Sequence, residues 1–127
     1  MSQREVIATN DAPKAIGPYS QAIRANGFLF LSGQTPIDPA TQQLISGSIA
    51  EQTERVLRNL EAVLKQAGSS MAKVVRCGVF LKDMNDFTAM NEVYGKFFPS
   101  NPPARTTIQA AKLPKDCQVE IDAIALE

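Results

Sequence analysis

The C-terminal stretch "NPPARTTIQAAKLPKDCQVEIDAIALE", Asn101 to Glu127, holds the two residues best suited to chemistry on a small anion. Arg105 follows a rigid Pro-Pro-Ala and opens one strand pattern, and Glu120 lies in the middle of the next. A guanidinium is a planar fork that can hold a carboxylate by two parallel charge-assisted bonds. A positioned carboxylate can aim a water and relay protons. The competing reading is a cross-strand surface ion pair of modest worth, and the pattern alone favours it.

The strands decide where these groups point. In residues 117–123, Cys117, Val119, Ile121 and Ala123 alternate with Gln118, Glu120 and Asp122. In the preceding strand Ile108 and Ala110 are apolar, while Arg105, Thr107 and Gln109 are polar. The connecting "KLPKD" is short enough for a hairpin. Matching the apolar faces then places Arg105, Thr107 and Glu120 on one face, with Thr107 opposite Glu120 and Arg105 two positions along. The three would line one pocket. Arg105 and Glu120 on opposite sheet surfaces would defeat this arrangement.

The remaining elements form the frame. Residues 3–9, "QREVIAT", read as a first strand. Asn26-Gly27 is the favoured pair for a type I′ turn, setting Ala25 against Phe28, Ile23 against Phe30 and Gln21 against Ser32. Tyr19, Gln21, Ser32 and Gln34 are thereby expected on one side. Residues 49–67 carry a helical stripe of Ile49, Val56, Leu60, Val63 and Ala67. Ser48 with Glu51 makes a capping box at its start, and Gly68 is placed to end it. "KVVRCGVFLKD" reads as a buried strand. Asp83 can cap a helix over 84–98 whose apolar side is Phe87, Met90, Tyr94 and Phe97, with Asn91 bordering that side. Pro99, Pro102 and Pro103 stop it.

The order β-β-β-(short β)-α-β-α-β-β predicts an α+β fold, a mixed sheet with both helices on one face. "FLFL" and "VVRCGVF" are apolar on both faces, and two helices cover only one. A copy of the same chain is the simplest cover for the other, so a homo-oligomer is expected, its subunit number open.

Composition excludes several classes. The 127 residues suit one domain, 1–127. Thirteen basic and thirteen acidic side chains cancel, leaving no basic field for nucleic acid and no cluster for a membrane surface. The polar N-terminus and the lack of a long apolar run suggest a soluble cytosolic protein. The chain has no histidine, which removes Ser-His and Cys-His catalysis and the usual zinc sites. No phosphate-cradling glycine loop is present. Cys77 and Cys117 read as buried, reduced thiols.

The blocks "AIGPYSQAI", "FLFLSGQTPIDP", "VFLKDMNDFTAMNEVY", "FFPSNPPART" and "LPKDCQVEIDAIA", in that order, resemble the YjgF/RidA family over nearly the whole chain. The resemblance implies a chorismate-mutase-like α+β homotrimer with a cleft at each subunit boundary. It implies a cofactor-free deaminase that hydrolyses 2-iminopropanoate and 2-iminobutanoate to 2-keto acids and ammonia. Carried across residue by residue, it places carboxylate binding on Arg105 and water orientation on Glu120. The remaining pocket positions fall on Tyr19, Ser32, Gly33, Phe87, Asn91 and Thr107. Many relatives carry cysteine where this chain has Thr107, so thiol-dependent properties do not transfer. Two other classes compete: an RNA-acting translation inhibitor or ribonuclease, which zero net charge and the absence of histidine oppose, and a non-catalytic, chaperone-like trimer that binds small carboxylates.

Overall fold

The structure, a computed structural model, describes residues 3–127. In chain order the elements are β1 (Arg4–Ile7), β2 (Ala22–Ala25), β3 (Phe28–Gln34), β4 (Ile37–Asp38), β5 (Gln43–Leu44) and α1 (Ile49–Gln66). They continue with β6 (Val74–Leu81), α2 (Phe87–Phe97), β7 (Ala104–Gln109) and β8 (Val119–Leu126). Six strands make one mixed sheet in the order β1-β2-β3-β8-β6-β7, and β4 and β5 make a separate ribbon. The α+β prediction holds, with α1 and α2 packed together on one sheet face.

Local chemistry explains the elements. Asn26 and Gly27 both take positive φ, 54° and 86°, as a type I′ turn requires, and β2 pairs β3 with Ala25 beside Phe28 and Ile23 beside Phe30. At the start of α1 the Ser48 side chain accepts from the Glu51 amide, and the Glu51 carboxylate accepts from the Ser48 amide. The helix ends at Gln66, with Gly68 beyond it at φ +81°. The second helix starts three residues later than 84–98 suggests. Asp83 caps a 3-10 turn, Met84–Asp86, and the α-helix follows from Phe87. β1 is likewise shorter than 3–9.

Leu29 and Leu31 of β3, Val79 and Leu81 of β6, and Val119 and Ile121 of β8 are buried beneath α1 and α2. Each such side chain contributes on the order of 2 kcal/mol. The opposite face stays open: Phe30 is 45% exposed, Ile108 47% and Leu126 45%. The two-faced apolarity of "FLFL" thus resolves into one covered and one uncovered side. Among the described residues, no helix is long and apolar enough to cross a membrane.

Two expectations fail. β7 does not form a hairpin with β8; β6 lies between them, parallel to β7 and antiparallel to β8. Arg105 stands beside Cys77 and Thr107 beside Val79, on the helix side, whereas Glu120 stands beside Phe80 on the open side. Arg105 and Glu120 therefore occupy opposite sheet surfaces, and they share no pocket within one chain. The reason lies in residues 110–118. The Ala110 amide donates to the Leu81 carbonyl and the Lys82 amide to the Gln118 carbonyl, so the segment passes around the end of β6. Matching apolar faces also assumed that Ile108 looks toward the helices. On an edge strand it looks toward the open face, beside Phe80.

The second failure is at Gln34. The pairing of β3 with β8 jumps from Leu31–Ala123 to Gln34–Ile121, a bulge at Ser32-Gly33. The extra residue turns Gln34 to the buried side. Gln21 is buried as well, its amide donating to the carbonyls of Thr9 and Pro13. Of the four residues expected together, only Tyr19 and Ser32 line a common cavity with Glu120.

Candidate functional site

The candidate residues gather in two groups of four. The first sits at the outer edge of the sheet. Arg105, held in β7, lays its guanidinium against α2, with Cζ 4.7 Å from the Tyr94 ring centre and 5.5 Å from that of Phe87. Its Nη1 donates to Asn91 Oδ1 at 2.7 Å. Among the described residues no carboxylate lies within ion-pair distance of it. Thr107 follows on the same face two residues along, its Oγ1 buried without a hydrogen-bond partner among the described residues. A cation stacked on rings and held at one edge leaves its remaining N–H donors for an anion.

The second group borders a cavity of about 540 Å³ whose wall includes Tyr19, Ser32, Gly33 and Glu120. Ser32 Oγ donates to the Ser20 carbonyl at 2.6 Å, which ties the bulge to the preceding loop. The Tyr19 hydroxyl accepts from the Ile16 amide at 3.4 Å. Gly33 is required here for space. A Cβ at that position would collide with the Glu120 carboxylate, which lies directly over it. Pro114 and Lys115, from the connection that replaces the expected hairpin, also line it.

Electrostatics separates the groups further. Burial, and then the neighbouring Asp122 carboxylate, pushes Glu120 above the ordinary glutamate range. Asp122 is itself held by the Gly78 amide at 2.8 Å. Near Arg105, burial raises the Cys77 thiol, and burial followed by the adjoining thiol raises the Tyr94 phenol, so both stay protonated. Burial pushes Cys117 up to about 11. Both cysteines are free and buried, as expected, and neither has thiolate character at neutral pH.

All eight candidates fall into these two groups, but the single-face argument for joining them does not survive. Sequence reasoning set Tyr94 on the apolar side of the second helix, where it is indeed buried, but did not name it for the site. The available signal was its spacing: Phe87, Asn91 and Tyr94 recur at i, i+4 and i+7, one stripe of α2.

The fold and these groups define a class: a two-helix-backed mixed sheet with a braced cation on one edge and a desolvated carboxylate in a cavity on its other face. A family model described as Endoribonuclease L-PSP matches residues 9–127. The chain belongs to this family, the YjgF/RidA proteins. It is 53% identical over 122 residues to a RutC family protein of Pyrococcus horikoshii, covering 96% of this chain and 97% of that one. It is 46% identical over 124 residues to the Homo sapiens protein named 2-iminobutanoate/2-iminopropanoate deaminase, covering 98% and 90%. The structure of E. coli TdcF with bound serine superposes with a TM-score of 0.92 at 39% identity, over 97% of this chain and 98% of that one.

Proposed function

We propose that this chain hydrolyses 2-imino acids, 2-iminobutanoate and 2-iminopropanoate, to the 2-keto acids and ammonia, and that it does so as a homotrimer whose sites lie between subunits. The observation that carries this reading is the Arg105 guanidinium, stacked on Tyr94 and Phe87, hydrogen-bonded to Asn91 and lacking a carboxylate partner among the described residues. The name of the human relative and the serine bound to the E. coli one support a substrate of amino-acid shape.

Because Arg105 and Glu120 face opposite ways, one chain does not close the site. We assign the closure to a second copy, so that the Arg105 edge of one subunit meets the Glu120 cavity of its neighbour. The uncovered apolar face, with Phe28, Phe30, Ile108 and Leu126, is the surface that such packing would bury.

The chemistry then runs with few groups. Arg105 holds the carboxylate by charge-assisted bonds, each contributing on the order of 1.5–3 kcal/mol. Glu120, held above its usual range, orients a water at C2 and takes one of its protons as the C–O bond forms. A proton reaches nitrogen to give the carbinolamine. Loss of the hydroxyl proton and departure of the protonated nitrogen as ammonia leave the keto acid. An imine carbon is already electrophilic, so these residues suffice without a covalent nucleophile.

The test generates 2-iminobutanoate from threonine with a dehydratase and follows its loss. Wild type should accelerate it, and Arg105→Ala and Glu120→Ala should each remove nearly all of the acceleration without unfolding. Co-refolding the two inactive variants should restore activity, up to about a quarter of the wild-type rate if copies mix at random in a cyclic assembly. No restoration would reject the shared site. Binding of 2-keto acids without turnover by the wild type would leave a carboxylate-binding trimer, and RNA cleavage surviving stringent repurification would favour a ribonuclease.

A further inference from the structure

Phe87, Asn91 and Tyr94 present one stripe of α2 to Arg105, but they differ in how firmly they are held. Phe87 is only partly buried and lies 5.5 Å from the guanidinium carbon. Tyr94 is 4% exposed and lies 4.7 Å away, and its ring is packed, tilted, against the Phe98 ring at 4.7 Å between centres. Among the described residues its hydroxyl has no well-formed hydrogen bond, and the part of Tyr94 that meets Arg105 is the ring.

We propose that Tyr94 is a positioning residue, an immobile aromatic plane that sets the orientation in which Arg105 offers its N–H fork to a carboxylate. The inference rests on the reading of Arg105 as the carboxylate site given above. A cation over a ring face is drawn to the negative centre of the π-system, and a ring locked in the core cannot follow the cation if it tilts. Asn91 Oδ1 then fixes rotation within that plane by engaging Nη1. A long, flexible side chain at a strand edge is thus ordered before substrate arrives, which lowers the entropy lost on binding. Ordering of this kind acts on capture of the carboxylate and not on the water step at Glu120.

Three variants at one position test this. Tyr94→Leu removes the ring; it should raise KM for 2-iminobutanoate, and Kd for 2-oxobutanoate measured by calorimetry, about tenfold, with kcat within about twofold. Tyr94→Phe keeps the ring and should match the wild type in all three. Phenylalanines of increasing ring fluorination at position 94 keep the shape while emptying the π face, and they should weaken 2-oxobutanoate stepwise. This series stands in for Tyr94→Leu if that variant does not fold. A folded Tyr94→Leu with unchanged KM and Kd, a Tyr94→Phe as impaired as Tyr94→Leu, or a flat fluorine series would overturn the proposal. Absence of wild-type turnover would overturn the deaminase reading alone, because 2-oxobutanoate binding still reports on Tyr94.

Discussion

The two halves of the candidate site are built on opposite principles. At the β7 edge a permanent cation is ordered by what surrounds it: a helix supplies two rings and one amide oxygen along a single stripe. In the β3–β8 cavity a carboxylate is accommodated by what is missing, because Gly33 leaves the volume that Glu120 occupies. The first half presents a guanidinium and needs only orientation. The second desolvates a charge that can be neutralised, and its proton affinity rises accordingly. Under the proposed function, a site divided this way would assign capture to one element and proton handling to another.

The largest break in the comparison should come from Arg105→Ala. Losing two charge-assisted bonds should lower kcat/KM for 2-iminobutanoate on the order of 100-fold, with the thermal midpoint nearly unchanged. Loss of a folded oligomer instead would make Arg105 a structural residue. Next comes Gly33→Ala. The new methyl must displace the Glu120 carboxylate, so kcat should fall about tenfold while 2-oxobutanoate affinity holds, the reverse of the split expected at Tyr94. If KM rose instead, the division of labour would fail. Asn91→Ala removes only the edge contact to Nη1 and should weaken 2-oxobutanoate roughly threefold to tenfold, read by calorimetry.

The smallest effect is on stability against pH. The folded chain holds the Glu120 proton more tightly than the unfolded chain does. Its contribution to stability is therefore fully present below the ordinary glutamate range and is lost as pH rises through the elevated folded value. Glu120→Gln should raise the thermal midpoint by a degree or two at pH 8 and leave it unchanged at pH 4, by scanning calorimetry. The opposite sign at pH 8 would mean that a cation, such as Arg105 of another copy, compensates the carboxylate in the assembly.

Much of the frame was legible because it follows from short-range rules. Asn26-Gly27 prescribes a turn whose two residues need positive φ, and Ser48 with Glu51 satisfies its own helix N-terminus. The gathering of Arg105, Asn91 and Phe87 was accessible through the family resemblance, and Tyr94 could have been added from its spacing. The pairing partner of β7 was not legible. A connection of nine residues, 110–118, fits a hairpin and a passage around a neighbouring strand equally well, and alternation says which residues share a face without saying which face is covered. Ile108 shows the ambiguity: it is apolar, yet it looks away from the helices.

Sequence alone determined the elements, their caps and turns, the residue types suited to an anion or a water, and the existence of a second apolar sheet face, because each depends on neighbours a few positions apart. Tertiary structure alone decided that β6 separates the arginine strand from the glutamate strand and turns their functional groups to opposite surfaces. That choice is made by the competition among long-range strand pairings for one buried face, a sum over the whole chain that no local window contains.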